Sequence, residues 1–154
     1  ICSNLGYTSI PDNVEYVGYA NITKRRELMK NAKALILLSD YVEPFGGVTI
    51  ECLLSGTPII TSDWGVFSET NIHGITGYRC RTFEHITWAI KNIDKIHPEN
   101  CRSWAITNFS CEKIATRYEE YFYQLNNLWE KGWYQDNKER ENLDWLLQEH
   151  PSKE

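Results

Sequence analysis

Metal-ligand spacing is missing from this sequence. There is no CxxC, and the four histidines, His73, His85, His97 and His150, are scattered with no HExxH among them. That excludes the usual zinc patterns, and no metal site is expected. A disulfide framework is missing too. The five cysteines, Cys2, Cys52, Cys80, Cys101 and Cys111, are odd in number and far apart, which fits buried thiols in a reducing, cytoplasmic setting. No apolar run reaches the length of a membrane span, and no signal peptide is seen. Positive charge is scarce: 16 Lys and Arg against 21 Asp and Glu leave a net charge of −5. Lys24, Arg25 and Arg26 form the one tight basic cluster, read as a solvated helix start, so a nucleic-acid partner is not expected. Internal repeats and low-complexity tracts are absent.

What is present is a globular composition. The 154 residues are 42% hydrophobic and 13% aromatic, enough for one domain with its own core. Strand and helix patterns alternate, which predicts an α/β fold with a parallel sheet flanked by helices. Strands are expected over residues 14–17, closed by Gly18, over 34–38 as a run buried on both faces, and over 58–61 and 78–80. Thr23 is expected to cap a helix running to about Asn31, with Leu28, Met29 and Ala32 inward. A helix over 48–55 ends at Gly56, with either Val48, Cys52 and Leu53 or Ile50 and Leu54 facing the core. Cys52 reads as a small buried residue, not a nucleophile. Three more helices follow, capped by Thr82, opened by Pro98, and capped by Ser110 with Glu112 in its first turn. The last carries Ile114, Tyr118, Tyr121, Phe122, Leu125 and Trp129 at helical spacing, read as packing, and ends at Gly132. In the polar tail, Leu143, Trp145, Leu146 and Leu147 predict a short docking helix.

Chemistry concentrates between Glu43 and Glu51. Gly46 and Gly47 follow a strand and open a helix, so they sit at the carboxyl end of the sheet, where ligands bind in such folds. The glycines permit close backbone approach, and free N–H groups with the positive end of the helix dipole make an anion site suited to a diphosphate. Glu51, one to two turns on, can accept two hydrogen bonds from neighbouring hydroxyls, as on a ribose. Glu43, on the loop before the glycines, can accept from a second polyol such as a donor sugar.

The segment Glu43-Pro44-Phe45-Gly46-Gly47-Val48-Thr49-Ile50-Glu51 resembles the Glu-x7-Glu motif of the group 1, or family four, retaining glycosyltransferases. Its surroundings are similar in order and spacing from Val14 to Trp129. The strand ending in Gly18 and Tyr19, the run Ser55-Gly56-Thr57-Pro58-Ile59-Ile60-Thr61, and Glu69 followed by His73-Gly74-Ile75-Thr76-Gly77 each have a family counterpart. The resemblance implies half of a GT-B architecture: residues 1–131 as a partial Rossmann-like, nucleotide-sugar-binding domain and 132–154 as a helical tail. It implies an N-terminally incomplete domain, with a further Rossmann domain outside the chain that holds a glycan, lipid or protein acceptor. The whole protein would be cytoplasmic, free or peripheral at a membrane, would transfer a sugar with retention, and would need no cofactor or metal; this piece alone would be inactive. Glu43 would touch the transferred sugar and Glu51 the ribose. The backbone of Phe45, Gly46, Gly47 and Val48 would meet the phosphates, Gly18 and Tyr19 would lie near the base, and Glu69 would contact the donor or pin its loop. The family's early Arg and Lys have no counterpart before Val14, and its glycine pair is reduced to Asp63-Trp64-Gly65. A nucleotide-sugar epimerase and a non-catalytic binding module are the alternative readings.

Overall fold

A computed structural model describes residues 11–129, 135 and 137–140; Gly132 and the expected tail helix lie outside them. Contacts divide the chain into two compact units, Ile1–Phe109 and Ser110–Glu154. The described elements run α1 (Ile22–Asn31), β1 (Leu35–Leu37), α2 (Gly47–Leu54), β2 (Ile59–Ser62), α3 (Phe67–Thr70), β3 (Gly77–Cys80), α4 (Phe83–Asn92), a 3-10 turn (Ile93–Lys95), α5 (Pro98–Phe109) and α6 (Cys111–Leu128). The strands form a parallel sheet in the order β1-β2-β3, with Leu35 opposite Ile59 and Ile59 opposite Gly77. The α/β class with a helix-flanked parallel sheet is therefore observed.

The central strand β2 is buried along its whole length. Its apolar residues Ile59 and Ile60 pack with Leu53 and Cys52 of α2, Ala89 of α4, and Cys101 and Ala105 of α5. Each large aliphatic side chain sealed there contributes about 1.5–3 kcal/mol. Arg102 of α5 donates to the carbonyl oxygen of Leu54, so α5 covers α2 and neutralises its C-terminal end. A buried polar network joins β2 to the turn before β3. Asn71 Nδ2 donates to Thr61 Oγ1 at 2.9 Å, Thr76 Oγ1 donates to Asn71 Oδ1 at 3.3 Å, and Ile72 N donates to Thr76 Oγ1 at 2.8 Å.

Several expectations need correction. Residues 14–17 form no strand: the segment is irregular, and it opens on a turn in which Val14 N donates to Pro11 O at 2.9 Å. The cap of α1 is Asn21, whose side chain accepts from Lys24 N at 2.9 Å, and not Thr23. Strand β1 is shorter than expected and not buried on both faces; Ile36 is 49% exposed, because it lines an open groove instead of lying under a helix. Neither proposed inner face of α2 is right, since Thr49, Ile50, Cys52 and Leu53 are the buried set. The aromatic face of α6 is not core: Tyr118, Tyr121 and Phe122 are each half exposed or more, and no residue of α6 is buried. The caps Thr82 and Ser110 are as expected, accepting from His85 N and Lys113 N at 3.3 Å each.

Candidate functional site

The loop from β1 to α2 rises at the carboxyl end of the sheet. Its turn depends on Gly46, which caps α2 in the left-handed region (φ 65°, ψ 50°). A Cβ there would lie 3.2 Å from Phe67 Cε1 and 3.3 Å from Glu43 Cγ, so both backbone and neighbours demand glycine. Helix α2 has no side-chain cap and no acidic residue in its first turn. Gly47 and Val48 at its start are exposed while Thr49 and Ile50 are buried. The helix thus presents uncapped backbone N–H groups and the positive end of its dipole to solvent.

Glu43 stands beside this start, half-buried, and its Oε2 accepts a hydrogen bond from Tyr41 Oη at 2.5 Å. The Glu43 carboxylate pushes the Tyr41 phenol pKa upward, by its hydrogen bond first and by charge second. The backbone around Glu43 is clamped from the β2–α3 loop: Val66 N donates to Glu43 O at 3.1 Å, and Gly65 (φ 61°) packs so closely that a Cβ would sit 3.0 Å from Glu43 N. Gly65 is thus a positioning residue for Glu43, a role that the local motif does not reveal. Its neighbour Trp64 donates from Nε1 to Tyr41 O at 3.3 Å and ties the same loop.

Glu51 faces the other side of α2, where its Oε2 lies 3.1 Å from Arg25 Nε. Both side chains are nearly half exposed, so the pair is worth at most about 1 kcal/mol to stability. Its interest is chemical: a cation stands next to the carboxylate expected to hold a ribose. Arg25 was legible only as part of a basic helix start. Nothing in the spacing of residues 25 and 51 announces their contact.

Gly18, Tyr19, Arg25 and Val48 share one groove of about 810 Å³, together with Met29, Leu35 and Cys52. Tyr19 is 96% exposed at its edge. Phe45 turns away from it, meeting Phe109 edge-on at 6.1 Å. Glu69 lies in α3, exposed. The structure therefore gathers Glu43, Gly46 and Gly47 at one point and Gly18, Tyr19, Val48 and Arg25 at another, with Glu51 bridged to the second. Among the described residues no group of three or more His, Cys, Asp or Glu is arranged to hold a metal ion, and no helix is long and apolar enough to cross a membrane.

Residues 7–105 match the family of glycosyl transferases group 1, and the chain belongs to that family. A glycogen synthase of Mycobacterium tuberculosis is 42% identical over 65 residues, which make up 42% of this chain and 16% of that protein. An uncharacterised glycosyltransferase of Methanocaldococcus jannaschii is 28% identical over 95 residues, 60% of this chain and 23% of the relative. Among solved structures, Anabaena HepE in complex with UDP and glucose is similar, with a TM-score of 0.62 at 22% identity over 73% of this chain and 32% of that one. The same protein with UDP-glucose gives 0.63. These structural likenesses bear on the fold alone. The chain spans less than a quarter of the length of the curated relatives it matches.

Proposed function

We propose that this chain is the donor-binding part of a retaining glycosyltransferase that moves a sugar from a nucleoside-diphosphate sugar to a glycan, lipid or protein acceptor. The observation that carries the reading is the uncapped, glycine-led start of α2 at the carboxyl end of β1, in a chain of the group 1 family. The diphosphate sits against the N–H groups of Gly47 and Val48. Charge that gathers on it as the anomeric bond breaks is met there by the helix dipole. Glu51 accepts from the ribose hydroxyls through the oxygen that Arg25 leaves open, and Arg25 adds positive charge nearby. Gly18 and Tyr19 border the base. Glu43, held by Tyr41 and by the Gly65 loop, accepts from hydroxyls of the transferred sugar and fixes its orientation. Glu69, exposed in α3, contacts the donor or pins its loop. No resident cofactor or metal is invoked. A second Rossmann domain of the same protein would present the acceptor, and the free thiols Cys52, Cys80 and Cys101 favour a cytoplasmic setting.

The test separates the two carboxylates. Glu51→Gln should weaken binding of uridine diphosphate by about 1–3 kcal/mol, the range of a hydrogen bond to a charged group, read by calorimetric titration. Glu43→Gln should leave that binding unchanged and, in the longer protein, depress turnover. Unaltered nucleotide affinity in Glu51→Gln sinks the assignment.

A further inference from the structure

The donor reading leaves unused the carboxyl ends of β2 and β3. Two clefts of about 390 and 300 Å³ open there and share Cys80 and Arg81 as a common wall. In a parallel α/β sheet this edge is where ligands seat. The larger cleft concentrates cations in a chain that is otherwise acidic. Arg79 and Arg81 both reach the single carboxylate of Asp63, at 3.3 and 2.7 Å, and His73 and His85 stand beside them. Two guanidinium groups against one carboxylate leave a net positive charge, and Arg81 is 70% exposed with only its Nε engaged.

The same cleft has an aromatic wall held in place. Trp88 is half exposed, and its ring meets Tyr78 edge-on at 5.1 Å; Tyr78 in turn meets His73 at 5.5 Å. In the smaller cleft a second half-exposed indole, Trp64, is fixed through Nε1. Beside it lies Ser62, 2% exposed, whose hydroxyl has no hydrogen-bond partner. Asp40, exposed on the same wall, can accept from two adjacent hydroxyls.

Two indole faces, an exposed carboxylate on one side, and a cationic pocket on the other suit a ring-shaped polyol that carries one acid group. We infer that the paired cleft binds an anionic saccharide, its carboxylate or phosphate at Arg81 and a neighbouring neutral sugar at Trp64 and Asp40. The inference rests on the glycosyltransferase reading in taking the guest to be a saccharide on the acceptor side. The charge selectivity comes from Arg81, since a guanidinium fork matches a carboxylate or phosphate in plane.

Titration of the 15N-labelled 154-residue chain with cellobiouronic acid, cellobiose and inorganic phosphate tests this. The indole N–H signals of Trp64 and Trp88, assigned through Trp64→Phe and Trp88→Phe, should shift saturably with the acidic disaccharide. Its affinity should exceed that of cellobiose at least tenfold, and Arg81→Gln should abolish that preference while leaving cellobiose binding in place. Equal affinity for the two disaccharides, phosphate binding as tight as the acidic disaccharide, or saturable shifts that miss both indoles overturns the inference. Uridine diphosphate added to the same sample reports separately at the Gly46 and Gly47 amides. Loss of that response alone sinks the donor reading, whereas a normal response with no saccharide binding sinks the cleft.

Discussion

Helices α2 and α6 are built on opposite plans. α2 has eight residues, no side-chain cap, no acid in its first turn and no base in its last, yet four of its residues are buried and Leu53 is fully sealed. α6 has eighteen residues, a Ser110 cap, Glu112 in its first turn and a strong apolar stripe, yet none of its residues is buried. Local sequence signals hold α6; packing under α5 and over β2 holds α2. The contrast shows why a binding helix can forgo a cap. Tertiary contacts stabilise α2 enough that its first N–H groups stay open for a ligand, whereas a helix without such contacts needs its own cap.

Cysteines test the contrast most sharply, because each helix carries one. Burial pushes the Cys52 thiol up to about 12, with the Glu51 charge adding to it, while Cys111 at the start of α6 is exposed. Iodoacetamide at pH 8 should therefore label Cys111 faster than Cys52 by roughly a thousandfold or more, since Cys52 reacts only through unfolding. The pH dependence follows. A thiol whose pKa is raised in the folded chain keeps its proton longer there than when unfolded. Its stabilising effect is whole below the unfolded value near 9, and is lost as pH climbs from there toward 12. Cys101, raised to about 11 by burial, acts in the same direction. Comparable labelling rates at both sites, read by mass spectrometry, would break the comparison.

Core truncation comes next. Leu53→Ala should cost about 2–5 kcal/mol in urea denaturation, and Leu125→Ala in α6 about 1 kcal/mol or less, as for a residue outside a core. Equal losses would mean that α6 carries packing as important as that of α2.

The caps sharpen the contrast at the smallest scale. Gly46→Ala forces a side chain into the left-handed region, at about 1–2 kcal/mol, and should also reduce uridine diphosphate binding. Ser110→Ala should cost about 1 kcal/mol and leave nucleotide binding untouched. A Gly46→Ala chain that binds nucleotide normally would remove the link between the open helix start and the ligand.

The same division explains what could be read from the sequence. Features fixed by neighbours along the chain were legible: the Thr82 and Ser110 caps, the Gly46 turn and the short apolar run of β2. Features fixed by distant partners were not. Residues 14–17 have the composition of a strand, but composition does not supply a ladder. Thr23 is a good cap by residue type, and only the backbone entry into α1 puts the cap at Asn21 instead. In the site, Glu43 and Gly46 follow from one local motif. The partnership of Glu51 with Arg25, and of Asp63 with Arg79 and Arg81, arises from folding. The role of Gly65 is likewise tertiary, because what it must avoid is the backbone of Glu43.

The polar network of Thr61, Asn71 and Thr76 has a bearing on inheritance. Asn71 and Thr76 each lean on the other, Thr61 on Asn71, and all three are shut away from water. A change at any one strands a donor or acceptor on its neighbours, at about 1–3 kcal/mol for each stranded group. Descendants of this chain should therefore keep the trio intact or replace its members in concert, by residues that rebuild the bonds or by apolar ones that abolish the need for them. Positions 61, 71 and 76 then drift as a single character, although ten residues separate the first two and five the last two.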